Sequence, residues 1–199
     1  IFIAAADCTG HGVPGAMVSV VCHGALNRCV REYNLTNPAE ILDKTRELVL
    51  ETFQKSEEQV KDGMDISLLK LNFKTQKAEW AGANNPLYLL RHSEGGTTEE
   101  SLIEIIKPDK QPIGYVAEPK LFTNHTLNLS GINQIYLFTD GYADQFGGEK
   151  GKKMGYNTFR EKLLEISDKD MSTQKDILNT YFSEWKGKEE QIDDVCIVG

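Results

Sequence analysis

The spacing of apolar residues predicts a strand and two helices at the start of the chain. Residues 1–6 are uniformly apolar and predict a strand that ends at Asp7. After a glycine-rich turn, apolar residues recur at helical intervals and predict a helix over residues 16–33. A second helix is expected over residues 38–55, because Asn37 is a favourable N-cap and proline favours the first helical position.

The pattern then changes to short strands, followed by two more helices. Strands are predicted, in order, at residues 66–73, 78–83, 87–91, 102–106, 123–129 and 134–139. Helices are predicted at residues 157–166 and 172–185, and a last strand follows Asp194. Strands grouped in the middle and helices grouped in pairs indicate the α+β class. With no strong linker we predict one domain, residues 1–199, and interpret it as a fragment of a longer protein, since both ends fall within predicted strands.

Composition narrows the function classes. The 199 residues include 22 basic and 30 acidic ones, and the net charge of −8 argues against a nucleic-acid-binding surface. No apolar run reaches membrane-spanning length, so we expect a cytoplasmic domain, with any membrane anchor elsewhere in the full-length protein. The four cysteines form no Cys-x-x-Cys pair, which favours thiols in a reducing compartment.

Three aspartates occupy similar places relative to apolar strands. Asp7 and Asp140 each follow such a strand, and Asp193, with its neighbour Asp194, precedes one. An unpaired carboxylate is costly to bury, whereas several at strand ends can share a cation, and hard oxygen ligands suit Mg²⁺ or Mn²⁺. Any one of them is more simply explained as a turn or cap residue. Together they indicate an acidic metal site, consistent with phosphate chemistry, and the pattern alone goes no further.

Six short motifs resemble, in order, those of the type 2C (PPM) metal-dependent protein phosphatases. The likeness is greatest to the bacterial branch typified by the sporulation stage II E phosphatase. The motifs are DCTGHGVPGA at 7–16, DGMDIS at 62–67, AGANNP at 81–86, QPIG at 111–114, LFTDG at 137–141 and DDV at 193–195. They span nearly the whole chain. The family's upstream Gly-Asp-Phe-Tyr strand, whose Asp helps to hold the first metal, has no counterpart among these residues.

The resemblance implies an antiparallel β-sandwich flanked by helices and a centre with two Mn²⁺ or Mg²⁺ ions. Asp7 would bridge the ions, the backbone carbonyl of Cys8 would bind one, and Asp140 and Asp193 would complete the other. Asp193 is preferred to Asp194 because the family's ligand is the first residue of this pair. His11 is a candidate for an acid role, although a turn residue near the helix start is the favoured interpretation.

The activity implied is hydrolysis of phosphoserine or phosphothreonine by water that the metals activate. The expected substrate is a regulatory phosphoprotein of the anti-sigma-factor-antagonist type. An upstream sensor or regulatory domain in the same polypeptide is also expected, and a homodimer is compatible with this scheme. The alternatives are a non-catalytic module that binds a phosphoprotein and another metal-dependent phosphohydrolase. The haloacid dehalogenase class is disfavoured, because Asp140-Gly141-Tyr142 lacks the second aspartate of its Asp-x-Asp motif.

The segment after the fifth motif has two interpretations. Residues 142–153 are rich in glycine and lysine, which favours a flexible, solvated loop. Alternatively, the segment is a mobile flap whose lysines attract an acidic phosphoprotein.

Overall fold

The computed structural model describes residues 1–10, 12–53, 62–92 and 101–199, which form two compact units. The first unit comprises Ile1–Leu87 and Lys107–Ser130, and the second comprises Tyr88–Ile106 and Gly131–Gly199. In chain order the elements are β1 (Phe2–Cys8), α1 (Gly12–Arg31), α2 (Pro38–Phe53), β2 (Met64–Asn72), β3 (Lys77–Ala83), β4 (Leu87–His92), β5 (Ser101–Ile106), β6 (His125–Asn128), β7 (Gln134–Phe138), α3 (Gly141–Asp144), β8 (Phe146–Gly147), β9 (Lys152–Lys153), α4 (Gly155–Glu165), α5 (Met171–Lys186) and β10 (Ile197–Val198). No helix within these ranges combines the length and apolar character that crossing a bilayer requires.

An antiparallel sheet and two helices build the first unit. The strand order is β1-β2-β3-β6, and the register places Asp7 opposite Asp65 on the neighbouring strand. Helices α1 and α2 pack against each other, and α2 also contacts β2 and β3. The helices bury residues three or four positions apart, which is why the periodicity predicted them: Val18, Cys22, Ala25 and Cys29 on α1, and Ile41, Leu42, Thr45, Leu48 and Val49 on α2.

The predicted start of α2 is confirmed, whereas α1 begins earlier than predicted. The Asn37 carboxamide oxygen accepts hydrogen bonds from the backbone N–H groups of Ala39 at 2.9 Å and Glu40 at 3.3 Å, which confirms the predicted cap of α2. Helix α1 instead begins at Gly12, four residues before the predicted start. Pro14 is accommodated because N–H groups in the first helical turn have no intrahelical partner.

The second unit has its own sheet and an aromatic core. Its strand order is β10-β7-β4-β5, with β10 antiparallel to β7. Phe159 of α4 lies at the centre of the core, with its ring centroid 5.1 Å from that of Phe138 and 4.8 Å from that of Tyr142. Strand β7 is thus an interior strand whose buried side chains set the position of the residues that follow it.

The glycine- and lysine-rich segment after β7 contacts α5 and has secondary structure where a loop was predicted. It contains the short helix α3 and the β8–β9 hairpin. The Gly148 N–H donates to the Trp185 carbonyl at 2.8 Å, and the Trp185 indole N–H donates to the Gln145 carbonyl at 3.1 Å. A Cβ at Gly147 would lie 1.9 Å from the Trp185 oxygen, so only glycine fits there.

Candidate metal centre

Asp140 stands where the interior strand β7 ends. The preceding residues Leu137, Phe138 and Thr139 are all buried, and Asp140 begins the short helix α3 without a side-chain capping bond. The strand therefore fixes the backbone at Asp140 while its carboxylate remains available to another partner.

Asp193 reaches the same place from the opposite direction. Because β10 runs antiparallel to β7, residues just before β10 meet residues just after β7. A carboxylate oxygen of Asp193 lies within 4.8 Å of one from Asp140. The Asp194 N–H donates to Asp193 Oδ1 at 2.8 Å and so orients that carboxylate. The second unit thus contains a pair of neighbouring carboxylates.

Gly141 permits this close approach. A Cβ at this position would lie 2.5 Å from the Asp194 carbonyl oxygen and 3.2 Å from the Asp193 Cβ. Any larger residue would push the Asp193–Asp194 backbone away from Asp140. The glycine of the LFTDG motif is therefore explained by steric fit.

The surroundings of Asp140 disfavour its charge. Burial raises the pKa of its carboxyl above the usual value, and the nearby charges of Asp193 and Asp144 raise it further. A cation between the carboxylates would relieve this conflict. Carboxylate oxygens are the donors that Mg²⁺ and Mn²⁺ favour, so the Asp140–Asp193 pair fits a hard divalent ion.

Asp7 lies in the first unit, at the end of edge strand β1. The residue opposite it, Asp65, accepts a bond from the Asn84 carboxamide at 2.8 Å. Thr9 ties the ends of β1 and β2 together: its N–H donates to the Gly63 carbonyl at 3.0 Å, and the Gly63 N–H donates to its hydroxyl at 2.8 Å.

Asp65 lies opposite Asp7 and was not among the site residues predicted from the sequence. Its signal was present, because in the DGMDIS motif Asp65 comes one residue before the apolar run that predicted the strand. What the sequence could not give is the register that sets Asp65 opposite Asp7.

The remaining candidates have different surroundings. Cys8 is half-buried, and a hydrogen bond with the Cys22 thiol lowers the pKa of its own thiol to about 7. The role of its backbone carbonyl as a ligand stays a prediction. The carbonyl of Asp194 accepts a bond from the Thr139 hydroxyl at 2.9 Å, while His11 lies outside the described residues.

Comparisons with known proteins find a matching family and similar solved structures. The family model for stage II sporulation protein E (SpoIIE) matches residues 1–199. The SiaA-PP2C domain of Pseudomonas aeruginosa is 26% identical, with a TM-score of 0.81 over 98% of this chain and 73% of that one. Comparison with curated proteins gives no match.

Two more distant solved structures share the fold. RsbX in complex with magnesium has a TM-score of 0.59 at 16% identity, over 98% of this chain and 78% of that one. The RsbU and RsbW domains of Rv1364c from Mycobacterium tuberculosis have a TM-score of 0.64 at 18% identity, over 98% of this chain and 50% of that one.

The predicted α+β class is confirmed, since helices and antiparallel strands recur in the PP2C domain that the chain resembles. The family match spans every motif that suggested a phosphatase. We conclude that the chain belongs to the SpoIIE family of bacterial PP2C-type protein serine/threonine phosphatases.

Proposed function

We propose that Asp7, Asp140 and Asp193, with the backbone carbonyl of Cys8, bind two divalent ions, Mn²⁺ or Mg²⁺, in one catalytic centre. The observation that carries this proposal is the Asp140–Asp193 pair, in which two carboxylates approach each other although burial and mutual charge oppose it. The order of the family motifs supports the addition of Asp7. The magnesium in the RsbX structure supports the choice of a hard ion.

Bound ions would supply positive charge to the phosphoryl oxygens and lower the pKa of water to near neutrality. The chain's own contribution is to hold the ligand oxygens in place. Asp140 is fixed by the end of β7, and Asp193 is oriented by the N–H of Asp194. The Thr9–Gly63 bonds hold β1 and β2 in register beside Asp7.

The substrate in this proposal is a phosphoserine or phosphothreonine of a small regulatory protein of the anti-sigma-factor-antagonist type, dephosphorylated in the cytoplasm. An upstream sensor or regulatory domain in the same polypeptide would control the reaction, and a homodimer is compatible with it. The association of RsbU and RsbW domains in a structural relative supports a signalling partner of this kind. The retained Asp7, Asp140 and Asp193 favour an active enzyme over a non-catalytic phosphoprotein-binding module.

The test is turnover of a phosphoserine protein with and without Mn²⁺ in the wild type and in D7N, D140N and D193N. Each variant should lose more than about 100-fold in kcat/KM, since residues that merely support metal ligands already cost about 10–100-fold when mutated. Asp168→Asn is the matched control, because Asp168 is exposed and pairs with Lys169 at 2.6 Å. Turnover that is unaffected by metal removal, or by all three ligand substitutions, would refute the centre.

A further inference from the structure

The side chain of Thr139 joins the two segments that carry the carboxylate pair. Its hydroxyl donates to the Asp194 carbonyl at 2.9 Å and accepts the Cys196 N–H at 2.9 Å. Its backbone N–H donates to the Cys196 carbonyl at 3.0 Å. Thr139 is only 1% exposed, so solvent cannot replace these bonds if the hydroxyl is removed.

The hydroxyl lies just beyond the last paired residues of the two strands. Strands β7 and β10 pair through Phe138 with Ile197 and through Leu137 with Val198. Beyond these pairs, the Thr139 side chain links the two segments through its hydrogen bond to the Asp194 carbonyl. A hydroxyl can donate and accept at once, which a methyl group of the same shape cannot do.

The carboxylates need such a connection because like charges repel each other. Asp140 follows Thr139 directly, and Asp193 precedes the residue whose carbonyl Thr139 binds. The steric fit of Gly141 against the Asp194 carbonyl limits the same segment from the other side. Hydroxyl and glycine together define how far apart the carboxylates can lie.

We propose that the Thr139 hydroxyl is a positioning group that sets the spacing of Asp140 and Asp193 for a divalent cation. Thr139 contacts neither substrate nor ion in this scheme and acts through the backbone that carries Asp193. The inference rests on the proposed metal centre and adds to it the residue that organises one side of that centre.

The test is calorimetric titration of Mn²⁺ into the wild type, T139V and T139S. Thr139→Val keeps the shape and removes the hydroxyl, and it should weaken Mn²⁺ binding by about 10-fold or more, as for other groups that orient metal ligands. Thr139→Ser keeps the hydroxyl and should bind Mn²⁺ with an affinity close to that of the wild type.

Thr45→Val is the matched control for the loss of a buried hydroxyl. Thr45 is 0% exposed in the first unit, and its hydroxyl donates to the Ile41 carbonyl at 2.6 Å within α2. This variant should lower the melting temperature and leave Mn²⁺ affinity unchanged. If T139V does not fold, the comparison of T139A with T139S replaces it.

Three outcomes would overturn the inference. Unchanged Mn²⁺ affinity in T139V, in a protein whose binding is abolished by D140N, removes Thr139 from the scheme and leaves the metal centre intact. Equal losses in T139S and T139V show that the hydroxyl is not responsible. Wild-type binding that D140N does not weaken refutes the centre itself, and the inference with it.

Discussion

At the scale of single residues, Asp140 lies in surroundings that disfavour its charge and raise the pKa of its carboxyl. A carboxyl whose pKa is raised in the folded state stabilises the protein while it is protonated, and this contribution is lost as pH rises through the folded pKa. Above this raised pKa the metal-free protein therefore carries a destabilising charge. The substitution D140N removes that charge, and no capping bond is lost with it.

We therefore expect metal-free D140N to melt at a higher temperature than the wild type at neutral pH. The difference should shrink as pH falls through the raised pKa, because the wild-type carboxyl then becomes neutral too. Thermal unfolding in EDTA across this pH range measures it. Asp168→Asn is the control and should lower the melting temperature, since a hydrogen bond from Lys169 lowers the pKa of Asp168. A lower melting temperature for D140N at every pH would contradict the electrostatic account.

The site residues differ in how far the sequence could reveal them. Asp140 and Asp193 were selected because each adjoins an apolar segment, which is a local pattern. Asp65 was not selected, because its place opposite Asp7 depends on strand register. Thr139 was not selected, because its hydrogen bonds are to residues 55 and 57 positions away in the sequence. Pairings of this kind are decided by tertiary packing and leave no periodic signal.

At the scale of elements, the β8–β9 hairpin is held in place and presents charge to solvent. The Gly148 N–H donates to the Trp185 carbonyl, and Lys153 pairs with Asp144 at 2.7 Å. Lys150 and Lys152 are exposed and have no ion pair in the described part of the chain. These two lysines are therefore placed to attract an acidic phosphoprotein.

The double substitution K150E/K152E tests this role. The KM for an acidic phosphoprotein should rise by about 10-fold, the low end of electrostatic steering effects, and its salt dependence should weaken. The rate with p-nitrophenyl phosphate should not change. A charge-matched control is K74E/K77E, two exposed lysines around the β2–β3 turn of the first unit. Equal kinetics for the two double variants would reject the hairpin as a docking element.

Helices and the hairpin also show why some elements are easier to predict than others. The start of α2 was predicted correctly, because Asn37 and Pro38 provide a local signal that the structure confirms. The hairpin was not predicted because it contacts Trp185, more than thirty residues further along the chain. Glycine and lysine content alone favours a loop, and tertiary contact overrides that preference.

At the scale of the whole molecule, the chain forms two units that interleave along the sequence. The first unit takes Lys107–Ser130 from beyond the start of the second, an arrangement without a linker-like composition to reveal it. The prediction of a single domain over residues 1–199 stays a prediction. The proposed centre has a consequence at this scale, because it takes Asp7 from the first unit and Asp140 and Asp193 from the second.

A ligand that binds only the folded state raises stability by mass action, by about 2.7 kcal/mol at a concentration 100 times its Kd. For a chain of this size we expect saturating Mn²⁺ to raise the melting temperature by about 5–10 °C. Thermal unfolding of the wild type, D7N, D140N and D193N with Mn²⁺ or EDTA measures the shift. All three variants should lose most of it, while D168N keeps it. If D7N retains the full shift while D140N and D193N lose it, Asp7 does not share their centre, and the metal belongs to the second unit alone.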